Sequence, residues 1–459
     1  MYRKSGLGDQ PGWLTRFTSS LTGDRALFRA VVLTATAHFY HLWERKLIPD
    51  DARSVLGWLV EALDHEDEIL SGNYEDVHEA LEAWLLKRAG KHAGWLAYGK
   101  SRNDQVATAL RLTMRWKIIR LMWEIIRLRS ALLESAGRNL EVQIPTFTHL
   151  QPAQPSTAAH YLLYVEDEAF HHWRALWHIL REVVDLCPLG SGPSAGSSVP
   201  LDRGRLAELL GFAGVESNTL LATGSRSFAT LSLGPVASLM VTISRVAEDL
   251  VIWSTPQFGL VKLPREHIST SSIMPQKRNP VTLELVRAKA SSVIGSFLSL
   301  LVVVKGLPSG YNLDLQEANE HIIRPLDEAS DSLKVLSDLL RKIEFVERRF
   351  TSTLAQDIAE RLVRERGVTY REAHSMLASA LSESGWDLEK AVSTLGIEIP
   401  SFDEILQARG RGAPNPDGLA KEIDAKRRLL EGDIKRLTEY EGEKREAEER
   451  LLRLVSESA

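Results

Sequence analysis

Four segments of this chain combine residue types that can do chemistry. The first is Ser269-Thr-Ser-Ser-Ile-Met-Pro-Gln-Lys-Arg-Asn279-Pro280, where four hydroxyls, a lysine, an arginine and two amides precede a helix-compatible run. Pro280 suits a first helical position and Asn279 a cap, so Lys277 and Asn279 are expected at a helix N-terminus, where free N–H groups and the helix dipole favour anions. The second, Gly99-Lys-Ser-Arg-Asn-Asp104, leads toward a long helix from Gln105, and the third, Thr148-His-Leu-Gln-Pro-Ala-Gln-Pro155, leads toward another from Ser156. The fourth, Leu189 to Ser198, is a Gly/Ser loop. Any one of them alone reads as an ordinary capped helix start. All four together carry cations, a histidine and amides that capping does not need. If they converge, Lys277, Arg102 and several amide or hydroxyl donors suit a substrate with more than one carboxylate.

Long helices must position these groups. From Gln105 onward, Val106, Leu110, Met114, Ile118, Leu121, Ile125, Leu128 and Leu132 recur at alternating steps of three and four, one apolar face of a helix. Such a helix of roughly 30 residues spans about 45 Å. Similar patterns cover Ser156 to Leu186, Ser227 to Trp253, Val281 to Val304 and Glu317 to Lys342. The expected class is all-α, three helical domains over 1–100, 101–345 and 346–459, with a long central helix bundle. Ser227 to Ser244 and Ala290 to Val304 are uncharged nearly all round, which predicts burial between subunits at the core of a homooligomer. Their Ser, Gly and Pro residues argue against a membrane span. The charge-rich stretch Asp417 to Arg453, after the connector Gly410 to Gly418, is expected to form a separate helical domain with a solvated face.

Composition narrows the classes further. Across 459 residues, 56 Lys and Arg stand against 61 Asp and Glu, a net charge of −5. This mild acidity argues against nucleic-acid binding, which draws on basic stripes. Cys187 is the only cysteine, so neither an internal disulfide nor a thiolate zinc cluster can form. The N-terminal stretch to Trp13 has charges but no apolar core, which predicts no secretory leader and a cytoplasmic protein. Competing motifs fail: the third glycine of Gly190-Ser-Gly192-Pro-Ser-Ala-Gly196 is one place late for a dinucleotide fingerprint, and no strained Gly-x-Ser-x-Gly elbow is present.

Ser271-Ser-Ile-Met-Pro-Gln-Lys277-Arg-Asn279-Pro280 resembles the signature loop of the fumarase/aspartase superfamily. Ser101-Arg-Asn-Asp-Gln-Val-Ala-Thr108, Thr148 to Pro155, Pro188-Leu-Gly-Ser-Gly192 and Gly306 to Glu317 resemble the argininosuccinate lyase branch, as do Phe17-Thr-Ser-Ser-Leu21 and Glu75-Asp-Val-His78. The similarity runs from about residue 17 to about 345, with a helical tail after it. It implies a homotetramer with active sites shared between subunits. The reaction would be reversible elimination of argininosuccinate to arginine and fumarate, without metal or organic cofactor. On matching positions the resemblance makes Ser271 the general base, His149 the candidate acid, and Lys277 and Asn279 the holders of the carboxylate that takes up charge. Arg102, Asn103 and Thr148 would grip the fumarate-like half, with Gln151 positioning the His149 loop. Ser19, Arg226, Tyr311 and Gln316 would contact the arginine half, and Asp76, His78 and Glu284 would line the site. Two departures stand out: Thr270 replaces the usual Gly of the signature loop, and Asn319 stands where many relatives carry Lys. The alternatives are a sister lyase acting on adenylosuccinate or another N-substituted aspartate, and a non-catalytic protein on the same scaffold.

Overall fold

The computed structural model describes residues 11–458, so the N-terminal reading to Trp13 falls largely outside the described residues. The expected helices form. Those used here are α1 (Phe28–Glu44), α2 (Val77–Ala89), α3 (Arg102–Arg138), α4 (Ala158–Ile179), α5 (Ser227–Trp253), α6 (Val281–Val304), α7 (Asp314–Lys342) and α8 (Pro416–Ser458). The chain is all-α in class, with three short two-stranded pieces among the described residues. One of them, β1 (Gln143–Thr148) paired antiparallel with β2 (Gln151–Thr157), replaces the expected simple lead-in to α4.

The helix α3 starts three residues earlier than its apolar stripe indicates. Ser101 and Asp104 close a capping box: the Ser101 hydroxyl accepts from the Asn103 N–H at 3.3 Å, and the Asp104 carboxylate accepts from the Ser101 N–H at 2.9 Å. Ion pairs set the helix directions. Lys117 meets Asp327 and Arg120 meets Asp331, so α3 and α7 run parallel. Arg129 meets Glu166 and the Arg111 guanidinium donates to the Val183 carbonyl, so α4 runs antiparallel to α3. Tyr161 donates to Asp249, and Arg324 on α7 reaches Ser296 on α6. The bundle therefore has two ends. One gathers the starts of α3, α5 and α7 with the finish of α6; the other gathers their opposite termini. The 27 residues of α5 separate these ends by about 40 Å.

The charge-rich C-terminal stretch is not a separate unit. As α8 it lies against α3, and Leu430, Leu437, Leu451 and Val455 join the main core. Its charges turn inward: Arg129 donates to Asp433 at 2.7 Å, Lys426 pairs with Glu166 at 2.8 Å, and Lys444 pairs with Asp185 at 2.6 Å, all buried. Breaking one partner of such a set strands the others without water. A second, smaller core gathers Leu354, Ile358, Leu362, Leu377 and Val392.

Both α5 and α6 are, by length and composition alone, apolar enough to cross a membrane, a test that the core helices of a bundle also pass. Each is packed in the bundle along one face only. On α6 the buried stripe is Leu283, Val286, Ala290, Val293 and Leu300, while Leu285, Leu298 and Val302 are more than half exposed. Leu231 and Val241 of α5 are about half exposed as well.

Candidate active site

The expected site residues divide between the two ends of the bundle. Ser19, Asp76, His78, Arg102, Asn103, Arg226, Tyr311 and Gln316 lie at the first end, where α3, α5 and α7 begin. Thr148, His149, Gln151, Ser271, Lys277, Asn279 and Glu284 lie at the second, where α6 begins and α7 finishes. One chain does not bring them together.

At the first end, Asp76 caps α2 by accepting from the Glu79 N–H at 2.7 Å and forms an ion pair with Arg102 at 3.2 Å. Beside it His78 is buried, and neither of its ring nitrogens has a hydrogen-bond partner among the described residues. Arg226 is buried too. Its Nη1 donates to the Thr223 and Ser225 carbonyls, while Nε and Nη2 find no partner. Burial pulls this guanidinium down to about 10, and the nearby Tyr311 works against that fall. Burial raises the Tyr311 phenol, which also feels Arg226, Asp76, Asp24 and Glu75. A buried cation beside Tyr311, which in turn feels Asp76, Asp24 and Glu75, suits a zwitterionic amino-acid group, carboxylate to the cation and ammonium toward the acids.

Three links there escaped the sequence reading. The Ser19 hydroxyl is committed to the Tyr74 carbonyl at 2.8 Å, and it is Ser20 that hydrogen-bonds Asp24. Asn319 donates to the other Asp24 oxygen at 3.2 Å, both groups being buried. A lysine at 319 would supply a charge to hold Asp24 ionised; the neutral amide does not, and burial pushes Asp24 up to about 6. Asp104 is the third: besides capping α3 it accepts from the Gly190 and Gly192 N–H groups at 3.0 and 2.9 Å, and Asn103 donates to the Pro193 carbonyl. One buried carboxylate thus fixes the helix start and the Gly/Ser loop together. Gly192 has φ +59, and a Cβ there would meet the Gly196 carbonyl oxygen at 2.4 Å, so the loop requires glycine.

The Asp24 shift carries a stability prediction. Between the ordinary value near 3.9 and about 6, the folded chain holds a proton that the unfolded chain has released, so stability falls as pH rises through that window. Asp24→Asn keeps the shape and removes the titration. It is expected to flatten the wild-type decline between about pH 4 and 6 and to add roughly 2–3 kcal/mol at neutral pH. Urea unfolding at several pH values measures this, and a variant curve parallel to wild type contradicts it.

At the second end, Ser269 and Asn279 exchange backbone hydrogen bonds of 2.9 and 2.8 Å, closing the neck of the loop that carries Ser271 and Lys277. The Ser271 hydroxyl accepts from the Ile273 N–H at 3.3 Å, and Lys277 is exposed. Asn279 is not the cap and Pro280 is not the first helical residue: Pro280 occupies the cap and α6 begins at Val281. The Val281, Leu283 and Glu284 N–H groups already donate to the Asn279 and Pro280 carbonyls, and Glu284 lies in the first turn. The helix terminus is therefore a weaker anion site than expected, and Lys277 bears more of that role. Thr148, His149 and Gln151 are exposed at the tip of the β1–β2 hairpin. His149 and Leu150 have φ +54 and +59, the left-handed pair of a two-residue turn that Asn-Gly would fill without strain. The strained tip presents the imidazole to its surroundings.

The sequence model of the Lyase family matches residues 47–295. The argininosuccinate lyase of Sulfurisphaera tokodaii is 39% identical over 442 residues, covering 96% of this chain and 95% of that protein. That of Pyrococcus furiosus is 38% identical over 450 residues, covering 96% and 97%. Among solved structures, an EDDS lyase variant with bound fumarate superposes with a TM-score of 0.84 at 25% identity, covering 94% of this chain and 92% of that one. EDDS lyase in complex with formate gives 0.85 at 24% identity and the same coverage, a likeness of fold alone.

Proposed function

The chain belongs to the argininosuccinate lyase family, within the fumarase/aspartase superfamily, and from that premise we infer that its separated half-sites act jointly in the reversible elimination of argininosuccinate to L-arginine and fumarate. It is a carbon–nitrogen lyase of arginine biosynthesis. Ser271 removes the proton from the carbon beside a succinyl carboxylate, and the electron pair moves into that carboxylate. Lys277 and Asn279 hold the doubly charged group, the kind of electrostatic support that is usually the largest catalytic contribution. The pair then returns as the C–N bond breaks, and His149 delivers a proton to the leaving guanidino nitrogen. Arg102, Asn103 and Thr148 grip the fumarate half, with Gln151 and Glu284 around it. Arg226, Tyr311, Gln316, Asp76, His78 and Ser19 surround the arginine half.

The observation that carries this reading is the division of the site across about 40 Å of bundle. A base at one end cannot act on a substrate held at the other within the same chain. A homotetramer resolves this, with copies packed through the exposed apolar faces of α5 and α6 so that unlike ends meet. A division near residues 100 and 345, with α8 returning to the main core, and a cytoplasmic location belong to the same reading. Release of fumarate, followed by its ultraviolet absorbance, is expected from argininosuccinate and not from adenylosuccinate. Turnover of adenylosuccinate instead assigns the chain to a sister activity.

A further inference from the structure

The loop bearing Ser271 and Lys277 is exposed along most of its length, yet its stem is held by a residue with no part in the chemistry above. His267 ends the short turn Arg265–His267, two residues before the Ser269–Asn279 neck, and is buried. Its Nε2 lies 3.0 Å from Asp338 Oδ2 near the finish of α7, and its Nδ1 lies 3.0 Å from Thr282 Oγ1 in the first turn of α6. A carboxylate only accepts, so Nε2 donates to it; the Thr282 hydroxyl pairs with Nδ1 and also donates to the His267 carbonyl at 3.3 Å. One imidazole thereby ties the incoming strand of the loop to the two helices that flank it. Lys342 adds an outer tie, pairing with Asp338 at 2.8 Å and with Glu266 at 2.7 Å.

We propose that His267 is the positioning residue of the Ser271 loop, fixing where Ser271, Lys277 and Asn279 stand; this rests on the reading of those three as the base and the carboxylate holders. The loop's internal bonds fix its shape but not its place. The ring contacts to Thr282 and Asp338 locate its stem, alongside the chain continuing through Pro280 into α6, the Lys342–Glu266 pair and the Thr282 hydroxyl on the His267 carbonyl. A shift of about 1 Å in a reacting group can cost 10²-fold, so the device bears directly on rate.

The test compares wild type with His267→Phe, which keeps the volume and loses both hydrogen bonds, His267→Gln, whose amide can donate to Asp338, and Thr282→Val. His267→Phe is expected to lower kcat for argininosuccinate by roughly 10²-fold with little change in KM, because most groups that hold substrate lie at the other end of the bundle. Gln at 267 should recover about tenfold of that loss, and Thr282→Val should fall between it and wild type. Hydrogen exchange gives a readout independent of activity: the Ser269 and Asn279 amides, paired in the neck, should exchange faster in His267→Phe and in Thr282→Val. Unchanged neck exchange, wild-type kcat in His267→Phe, or a Gln variant no better than Phe overturns the proposal. If the wild-type chain releases no fumarate while neck exchange responds as expected, the anchor stands and the catalytic reading falls. Should His267→Phe fail to fold, Thr282→Val decides by the same two readouts.

Discussion

Ser271→Ala is expected to lower kcat for fumarate release by about 10³-fold while KM stays within roughly threefold of wild type. A serine hydroxyl is a poor base at neutral pH and acts only where its anion is stabilised. Two groups on its own loop can do that: the Ile273 N–H, already 3.3 Å from the hydroxyl oxygen, and the Lys277 ammonium. The substrate is meanwhile held by groups that the substitution leaves alone, Arg102, Asn103, Arg226 and Tyr311 at one end and Thr148 and Asn279 at the other. Loss of the base should therefore appear in the chemical step rather than in binding. Because the loop is largely exposed, the variant should unfold at the wild-type temperature, which separates lost chemistry from lost structure. A variant retaining more than about a tenth of wild-type kcat assigns the proton transfer to another group.

The sequence made some of this legible and hid the rest for physical reasons. Long apolar stripes such as Val106 to Leu132 commit the chain to helices whatever their surroundings, and α3, α5 and α6 fall where those stripes predict. What lay beyond periodicity was the use of charge. In α8, Lys426, Asp433 and Lys444 read as solvated because a sequence does not show that Arg129, Glu166 and Asp185 wait for them in the core. The strained hairpin at His149 and Leu150 was hidden for a related reason: leucine disfavours a positive φ and histidine adopts one only in a minority of cases, so local preference pointed away from the turn that the fold imposes. Asp104 was half legible, since Ser-x-x-Asp before an apolar run signals a cap, but its grip on Gly190 and Gly192, 86 and 88 residues away, had no local signal. His267 had none at all. Its partners Thr282 and Asp338 are 15 and 71 residues distant, and only the folded bundle brings them to one ring.

The division of the site between the ends of one bundle predicts that two inactive variants restore each other. Ser271→Ala damages the second end and Tyr311→Phe combined with Arg102→Ala damages the first, and each protein alone is expected to be reduced by about 10³-fold. In a mixed oligomer, some sites draw their second end from the Tyr311/Arg102 variant and their first end from the Ser271 variant. Such a site contains no substituted residue. If chains exchange at random in equal amounts, about one site in four is intact, so a mixture dissociated and reassembled together should regain roughly a quarter of wild-type activity. Chain exchange is essential: mixing without dissociation should leave both activities low. The pairing is specific as well. Ser271→Ala reassembled with Lys277→Met, both at the second end on one loop, should recover little unless Ser271 and Lys277 of a site come from different chains. Their single loop, closed by the Ser269–Asn279 neck, excludes that. Recovery in the first mixture and none in the second requires that opposite ends of different copies meet. No recovery in either, from assembled protein, means that each chain completes its own site by a rearrangement across the bundle.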